Sequence, residues 1–259
     1  MRRAAPFGPN LFASVMGTGI VATAGASMPG LHTAATYVWA LDAALLAFLV
    51  AAALRRWTWA TVRAQLADPV MAQFWGAPPM ALMTVGTGAL LLGKDWIGLP
   101  AALAVDWTLW VAGTVLGLAT SVLVPLRMIG SGERAFAGWL MPVVPPMVSA
   151  ASGALLAQHL PEGSSRQAMV LGCYALFGVS LFATMVALAA AVTVRTARRG
   201  LPFALTWWSF VFPLGTLVTG TSALAVRVPS VLFSAVAVVL YGALVAAWTT
   251  VAVRTLLQR

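Results

Sequence analysis

Side chains able to do chemistry are scarce in this chain, and hydroxyls make up most of them. His32 and His159 are the two histidines and Cys173 is the one cysteine, so the sequence lacks the clustered thiolates and imidazoles of a metal site. The HExxH, GxSxG and P-loop motifs of metalloproteases, hydrolases and nucleotide-binding proteins are absent as well. We therefore expect neither an enzyme nor a bound cofactor or metal.

Two carboxyl groups, those of Asp42 and Asp106, stand in otherwise apolar stretches. An ionisable residue inside a membrane segment is a functional candidate by default, so proton coupling would fall to this pair. The other interpretation is structural: each carboxyl group hydrogen-bonds to a neighbouring helix and ties the two helices together. The sequence leaves both interpretations open.

The stretches that hold these residues are those of a polytopic membrane protein. Of 259 residues, 61% are hydrophobic and 8% are charged, against roughly 25% charged in a soluble domain. Seven runs of 20 to 38 residues carry no charge, and about 20 apolar residues cross a bilayer. This excludes a soluble domain, a disordered chain and a nucleic-acid-binding protein. We predict an all-α membrane fold with eight transmembrane helices at about 10–28, 36–54, 74–93, 100–126, 138–158, 167–195, 203–225 and 230–253.

The basic residues sort to one side of these helices. Twelve of the 15 Lys and Arg residues fall on the side of the two chain ends, and three fall on the other. The positive-inside rule then places both termini in the cytoplasm, in a plasma (inner) membrane. The first 26 residues resemble a secretory signal, but they carry the first copy of a repeat, so we expect them to be kept.

That repeat runs through the odd-numbered helices. Gly19, Gly86, Gly153 and Gly220 follow one another at intervals of 67 residues, and a proline lies seven residues before each of the last three. One helical hairpin per repeat keeps all copies in one orientation, as in parallel transporter repeats. We predict one transmembrane domain over 1–259, with repeats at about 7–68, 69–135, 136–200 and 201–259.

The simplest closed arrangement of four hairpins is a ring, with odd helices inside around a central pore and even helices facing lipid. The inner helices carry no charged residue or histidine between their ends, so the pore offers hydroxyls and backbone dipoles, which suit anions that must enter and leave quickly. Close helix packing is the alternative role of the small residues. The predicted pore-lining residues are Thr18, Gly19, Gly86, Thr87, Ser149, Ser152, Gly153, Thr219 and Gly220, and the predicted helix kinks are at Pro79, Pro146 and Pro213.

Three motifs resemble the tellurite-resistance/dicarboxylate transporter family, which includes plant slow anion channels, yeast sulfite exporters and malate permeases. They lie at 7–20, 139–149 and 207–216, and the last reads Trp-Trp-Ser-Phe-Val-Phe-Pro-Leu-Gly-Thr. The resemblance runs from residue 7 to about residue 225. It implies a ring of hairpins, an inner-helix pore, a homotrimer, and a phenylalanine that plugs the pore in the penultimate helix. The motif places that gate on Phe212.

The chain departs from the family in length, because the family has ten helices in five hairpins and we predict eight helices in four. The stretch from Cys173 to Gly200 resembles the front of the family's sixth helix joined to the back of its eighth. A ring of four helices encloses a narrower pore than a ring of five.

Three functions remain open at this point. The first is a channel or uniporter for small inorganic anions or C4-dicarboxylates, gated by Phe212, with the anion and membrane lipids as partners. The second is a proton-coupled exporter of a dicarboxylate or sulfite, which would use Asp42 and Asp106. The third is a shortened, non-conducting paralogue that acts as a membrane scaffold.

Overall fold

The computed structural model describes residues 7–128, 137–195, 208, 211–212, 214–215, 218–219, 222 and 231–257. These residues form helices and turns, without a strand among them. The main helices are α1 (Phe12–Ala26), α2 (His32–Arg56), α3 (Trp59–Ala67), α4 (Ala77–Gly88), α5 (Leu99–Met128), α6 (Pro145–Ala157), α7 (Ser164–Arg195) and α8 (Val231–Leu257). The described residues between 208 and 222 are also helical, and we call this stretch the 208–222 segment.

Within the described residues, five helical stretches are long and apolar enough to cross a membrane. They are His32–Arg56, Pro69–Ile97, Leu99–Arg127, Ser164–Thr184 and Ser234–Leu257, and Pro145–Ala157 is a shorter apolar helix. The prediction of an all-α polytopic membrane protein is confirmed. The predicted seventh helix, 203–225, is described only in part.

Burial separates inner helices from outer ones. In its most apolar window, 89% of the Pro69–Ile97 stretch is buried, compared with 28%, 22%, 11% and 17% for the other four. Most of α1 and α6 is buried too. The helices exposed along most of their length, α2, α5, α7 and α8, are the even members of the predicted hairpins.

Each inner helix packs against the outer helix that follows it, which gives the hairpins α1–α2, α4–α5 and α6–α7. The inner helices also pack on one another, α1 on α4 and α4 on α6, while α8 packs on α1. The 208–222 segment lies against α1, because Trp208 covers Gly17 and Ile20 covers Gly215.

The turns follow local sequence rules. Gly30, Gly98 and Gly163 adopt positive φ angles of 76°, 81° and 137°, a region that glycine enters without steric cost. All three lie between predicted helices on the side opposite the two chain ends, which carries three of the 15 Lys and Arg residues. On the arginine-rich side, the Asp68 carboxylate accepts hydrogen bonds from the N–H groups of Val70 and Met71 and so caps a short helix.

The prolines mark helix starts more than kinks. Pro146 is the second residue of α6 and follows a series of turns, so the kink prediction is wrong there: a proline in the first turn lacks only an N–H that would have no helical partner. Pro79 lies in the first turn of α4, after a tight 3-10 turn at Phe74–Gly76 that interrupts the stretch from Pro69 to Ile97. Pro213 lies outside the described residues.

Candidate functional site

Residues of all three described inner helices and of the 208–222 segment surround one cavity of about 300 Å³. Its wall consists of Ile20, Thr23, Ser27, Thr84, Thr87, Leu91, Val148, Ala151, Ser152, Leu155, Phe212 and Thr219. The predicted ring places the cavity at its centre, so it is the candidate site.

The wall repeats with a period of 64 residues. Ile20, Thr84, Val148 and Phe212 are 64 residues apart, and so are Ser27, Leu91, Leu155 and Thr219. Between these two sets lie Thr23, Thr87 and Ala151 at the same spacing. Each inner helix thus turns the same face, at positions i, i+3 and i+7, towards the cavity.

We name three layers from this register: the Phe212 layer (Ile20, Thr84, Val148, Phe212), the hydroxyl layer (Thr23, Thr87, Ala151 and the adjacent Ser152) and the Ser27 layer (Ser27, Leu91, Leu155, Thr219). Seven residues of helix rise roughly 10 Å, so the three layers are spread over about that length of each inner helix. The Phe212 layer lies towards the arginine-rich side. Ser27 is exposed at the other end.

Phe212 contributes the largest side chain of its layer and is 3% exposed. The other members of that layer are an isoleucine, a threonine and a valine. The cavity wall ends at this layer, where three of the four side chains are apolar and the Thr84 hydroxyl donates to the Met80 carbonyl oxygen. A displacement of the Phe212 ring would remove the largest group at that end.

The hydroxyls of the cavity are oriented by their own helices. Thr23 donates to the Ile20 carbonyl oxygen at 3.3 Å, and Thr84 donates to that of Met80 at 2.6 Å. Thr87 instead donates across the helix boundary to the Ser152 hydroxyl at 2.8 Å. Among the described residues nothing accepts the Ser152 proton, so that hydroxyl can still donate.

The predicted pore-lining glycines do not face the cavity. A Cβ added at Gly19 would lie 2.6 Å from Asp42 Oδ2, one at Gly86 would lie 2.7 Å from Asp106 Oδ1, and one at Gly153 would lie 2.8 Å from Cys173 Sγ. Each glycine therefore accommodates a side chain of the following outer helix. The pore-lining prediction is wrong at these three positions, where the packing role of small residues prevails.

Two predicted hydroxyls also point elsewhere. Thr18 accepts a hydrogen bond from Trp248 Nε1 of α8 at 3.2 Å. The Ser149 hydroxyl bonds to that of Thr114 on α5 and to the Met83 sulfur. Neither belongs to the cavity wall, whereas Thr87, Ser152 and Thr219 do. Gly220 lies outside the described residues.

Asp42 and Asp106 are buried, with exposures of 1% and 0%. Within the part of the chain that the structure describes, neither carboxyl group has a hydrogen-bond partner, so the predicted hydrogen-bonded tie is not formed. Asp42 lies behind the cavity wall. A Cβ added at Gly19 would lie within 2.7 Å of both the Asp42 carboxyl group and the side chain of Thr84, which is a wall residue. A buried, unpaired carboxyl group in a membrane protein remains a functional candidate.

The sequence analysis missed seven wall residues, which are Ile20, Thr23, Ser27, Leu91, Val148, Ala151 and Leu155. A signal for them was present, because Asp42 and Asp106 are 64 residues apart, as are Trp75 and Trp139, and Arg63 and Arg127. The glycine interval of 67 exceeds this by three residues, about one helical turn. The glycines therefore follow a different spacing from the cavity wall, and their interval does not identify the residues that face the cavity.

Comparison with known proteins shows which proteins this chain resembles in sequence. The sulfite efflux pump SSU1 of Arthroderma otae is 29% identical over 70% of this chain and 51% of its own length. That of Trichophyton rubrum is 30% identical over the same shares. The transporter MJ0576 of Methanocaldococcus jannaschii is 26% identical over 88% of this chain and 69% of its own. The chain thus spans about half the length of the sulfite pumps it matches.

The sequence profile of a family described as voltage-dependent anion channel matches residues 6–195 and 181–256. The two matches overlap within α7, in the stretch where the sequence analysis places the missing hairpin. The family consists of channels and transporters, in agreement with the prediction that the protein is not an enzyme. Since the matched residues cover most of the chain, this protein belongs to the voltage-dependent anion channel family, and the resemblance seen in its motifs is confirmed.

Proposed function

We propose that the protein transports small inorganic anions, with sulfite the first candidate, through the cavity between its inner helices. The observation that carries the proposal is the shared wall: four inner segments contribute equivalent positions to one uncharged, hydroxyl-bearing cavity. A wall without fixed charge binds an anion weakly enough to release it. The names of the sulfite efflux pumps support sulfite before C4-dicarboxylates.

Phe212 serves as the gate in this proposal. Its position in the apolar layer at one end of the cavity, and the family motif around it, support that role. The resemblance further supports a homotrimer in the plasma membrane. A scaffold function is the less favoured alternative, because a scaffold has no need of a cavity shared by its inner helices.

The gate is tested by Phe212→Ala in liposomes loaded with sulfite or chloride. We expect a higher passive flux than in the parent protein, because the substitution opens the Phe212 layer. Phe177→Ala is the matched control, since Phe177 lies 45% exposed on the outer helix α7, and its flux should equal that of the parent. An unchanged flux in a folded Phe212→Ala protein contradicts the gate. No flux in any variant favours the scaffold.

Proton-coupled export is the second candidate, and the two buried carboxyl groups, which have no hydrogen-bond partner among the described residues, favour it. Intramembrane carboxyl groups are typical proton carriers of transporters. Because Asp42 lies directly behind the cavity wall, an anion in the cavity and a proton on this group would be close enough to influence each other.

Coupling predicts that a pH gradient drives uphill sulfite or malate uptake into liposomes. Asp42→Asn and Asp106→Asn should abolish the pH dependence while a passive flux remains. Asp95→Asn is the control, because Asp95 is exposed and lies 3.6 Å from His32. If both buried variants keep the full response to the gradient, these two carboxyl groups do not carry the proton, and if the parent shows no response, the protein is a passive channel.

A further inference from the structure

A second cavity of about 350 Å³ opens between the outer helix α2 and the residues just before and at the start of α1, away from the central site. We call it the α1–α2 groove. Its α2 wall is formed by Leu45, Phe48, Ala52 and Arg56, a spacing that places them along one face of the helix. Eleven residues of helix rise about 16 Å. This is roughly half of the ~30 Å hydrocarbon core, and thus the depth of one lipid leaflet.

The other wall is apolar and held in place. It consists of Phe7, Leu11 and Ser14, and the Ser14 proton is taken by the Leu11 carbonyl oxygen at 2.7 Å. The Phe7 carbonyl oxygen accepts hydrogen bonds from Gln65 Nε2 at 3.0 Å and Trp57 Nε1 at 3.4 Å. The groove is therefore preformed.

One end of the groove is cationic and its side is open. Arg56 Cζ lies 5.7 Å from the centre of the Phe7 ring, and within the described ranges no carboxylate pairs with this exposed guanidinium. Phe48 is 67% exposed and Leu45 is 37% exposed, so the middle of the groove faces the hydrocarbon. An apolar groove that is as deep as one leaflet and ends at an arginine fits a lipid with an acyl chain and an anionic headgroup.

We propose that the α1–α2 groove binds an anionic phospholipid, with one acyl chain along Leu45, Phe48 and Ala52 and the headgroup phosphate on Arg56. The site is separate from the transport cavity. It is accordingly independent of the proposed function, and failure of either proposal leaves the other standing.

Native mass spectrometry of the full chain in detergent tests the site, with phosphatidylglycerol and phosphatidylcholine of equal chain length as probes. We expect the parent to retain phosphatidylglycerol about fivefold more tightly, the equivalent of ~1 kcal/mol for one arginine near an anionic headgroup. Arg56→Gln should bring this ratio to about one, while Arg56→Lys should keep it. Arg127→Gln is the matched control, because Arg127 ends another outer helix outside the groove.

The apolar part of the site is tested without a change of charge. Ala52→Phe fills the groove and should weaken retention of both lipids. If Ala52→Phe does not fold, Phe48→Ala replaces it, because Phe48 is exposed and its truncation is tolerated. This variant should also weaken retention of both lipids. The proposal is overturned if Arg56→Gln and Arg127→Gln reduce the preference for phosphatidylglycerol equally. It is also overturned if the parent shows no preference between the two lipids. Displacement of the lipid by inorganic phosphate alone also overturns it, because the site would then recognise a free anion.

Discussion

At the residue scale, the pair Thr87 and Ser152 joins two inner helices within the hydroxyl layer. Thr87 donates its hydrogen bond to Ser152 rather than to its own helix, and no described residue accepts the Ser152 proton. A hydroxyl that accepts one hydrogen bond donates a stronger one. Ser152 is thus the side chain best prepared to bind an anion in the cavity, and Thr87 positions it.

Ser152→Ala should raise the half-saturating sulfite concentration about tenfold. A hydrogen bond to a charged group contributes about 1.5–3 kcal/mol, and ~1.4 kcal/mol corresponds to a factor of ten. The measurement is flux into liposomes against concentration. Ser149→Ala, one turn away with its hydroxyl directed at Thr114, should keep the half-saturating value. If both serine variants behave like the parent, Ser152 does not bind the anion.

The sequence predicted that the site is uncharged and bears hydroxyls, but it identified only some of the residues that form its wall. Thr87, Ser152, Thr219 and Phe212 line the cavity, and the wall carries no charge. The pore-lining prediction was wrong for the glycines because small residues occur in a helix both where it borders a pore and where a neighbouring helix packs closely. Only the positions of outer-helix side chains, such as the Asp106 carboxyl group in the notch of Gly86, distinguish the two cases.

At the element scale, the start of α6 depends on a close approach to the turn before α4. A Cβ at Gly76 would overlap the Met141 carbonyl oxygen and lie 2.6 Å from its carbon. Backbone atoms cannot yield as a side-chain end can. Gly76 thereby fixes the distance between the entries of two neighbouring inner helices.

Gly76→Ala should lower the stability by about 2–3 kcal/mol, the upper range for overpacking. The melting temperature in detergent should fall by roughly 5–10 °C for a chain of this size. Gly178→Ala is the control, since nothing lies within 4 Å of its Cβ position and alanine favours a helix. A Gly76→Ala protein that melts with the parent would show that the two turns can separate freely.

Helix locations were predictable to within a few residues, because apolar runs and glycine turns define them. The short helix α3 was missed, since its nine residues carry an arginine and give no apolar run. The break at Phe74–Gly76 and the late start of α6 were also missed. In both cases a proline pair determines where a regular helix begins, and the apolar run continues across the boundary without a signal.

At the scale of the whole molecule, the distribution of arginines predicts that both termini face the cytoplasm. A fluorescent protein fused after Arg259 should fluoresce in bacteria, and alkaline phosphatase at the same position should be inactive. A fusion of each reporter at Gly163, on the opposite side, should give the reverse result. An active phosphatase at the C-terminus would require an odd number of membrane crossings or an inverted chain.

The 64-residue spacing of the cavity wall bears on how such proteins change in length. Gain or loss of a complete hairpin alters the circumference of the central space by one unit and leaves the chemistry at each depth intact. An insertion inside a helix by a number of residues that does not complete a turn would rotate the rest of that helix away from the axis. If the hairpins close into the predicted ring, the diameter of its central space therefore changes in discrete steps, by one whole helical pair at a time.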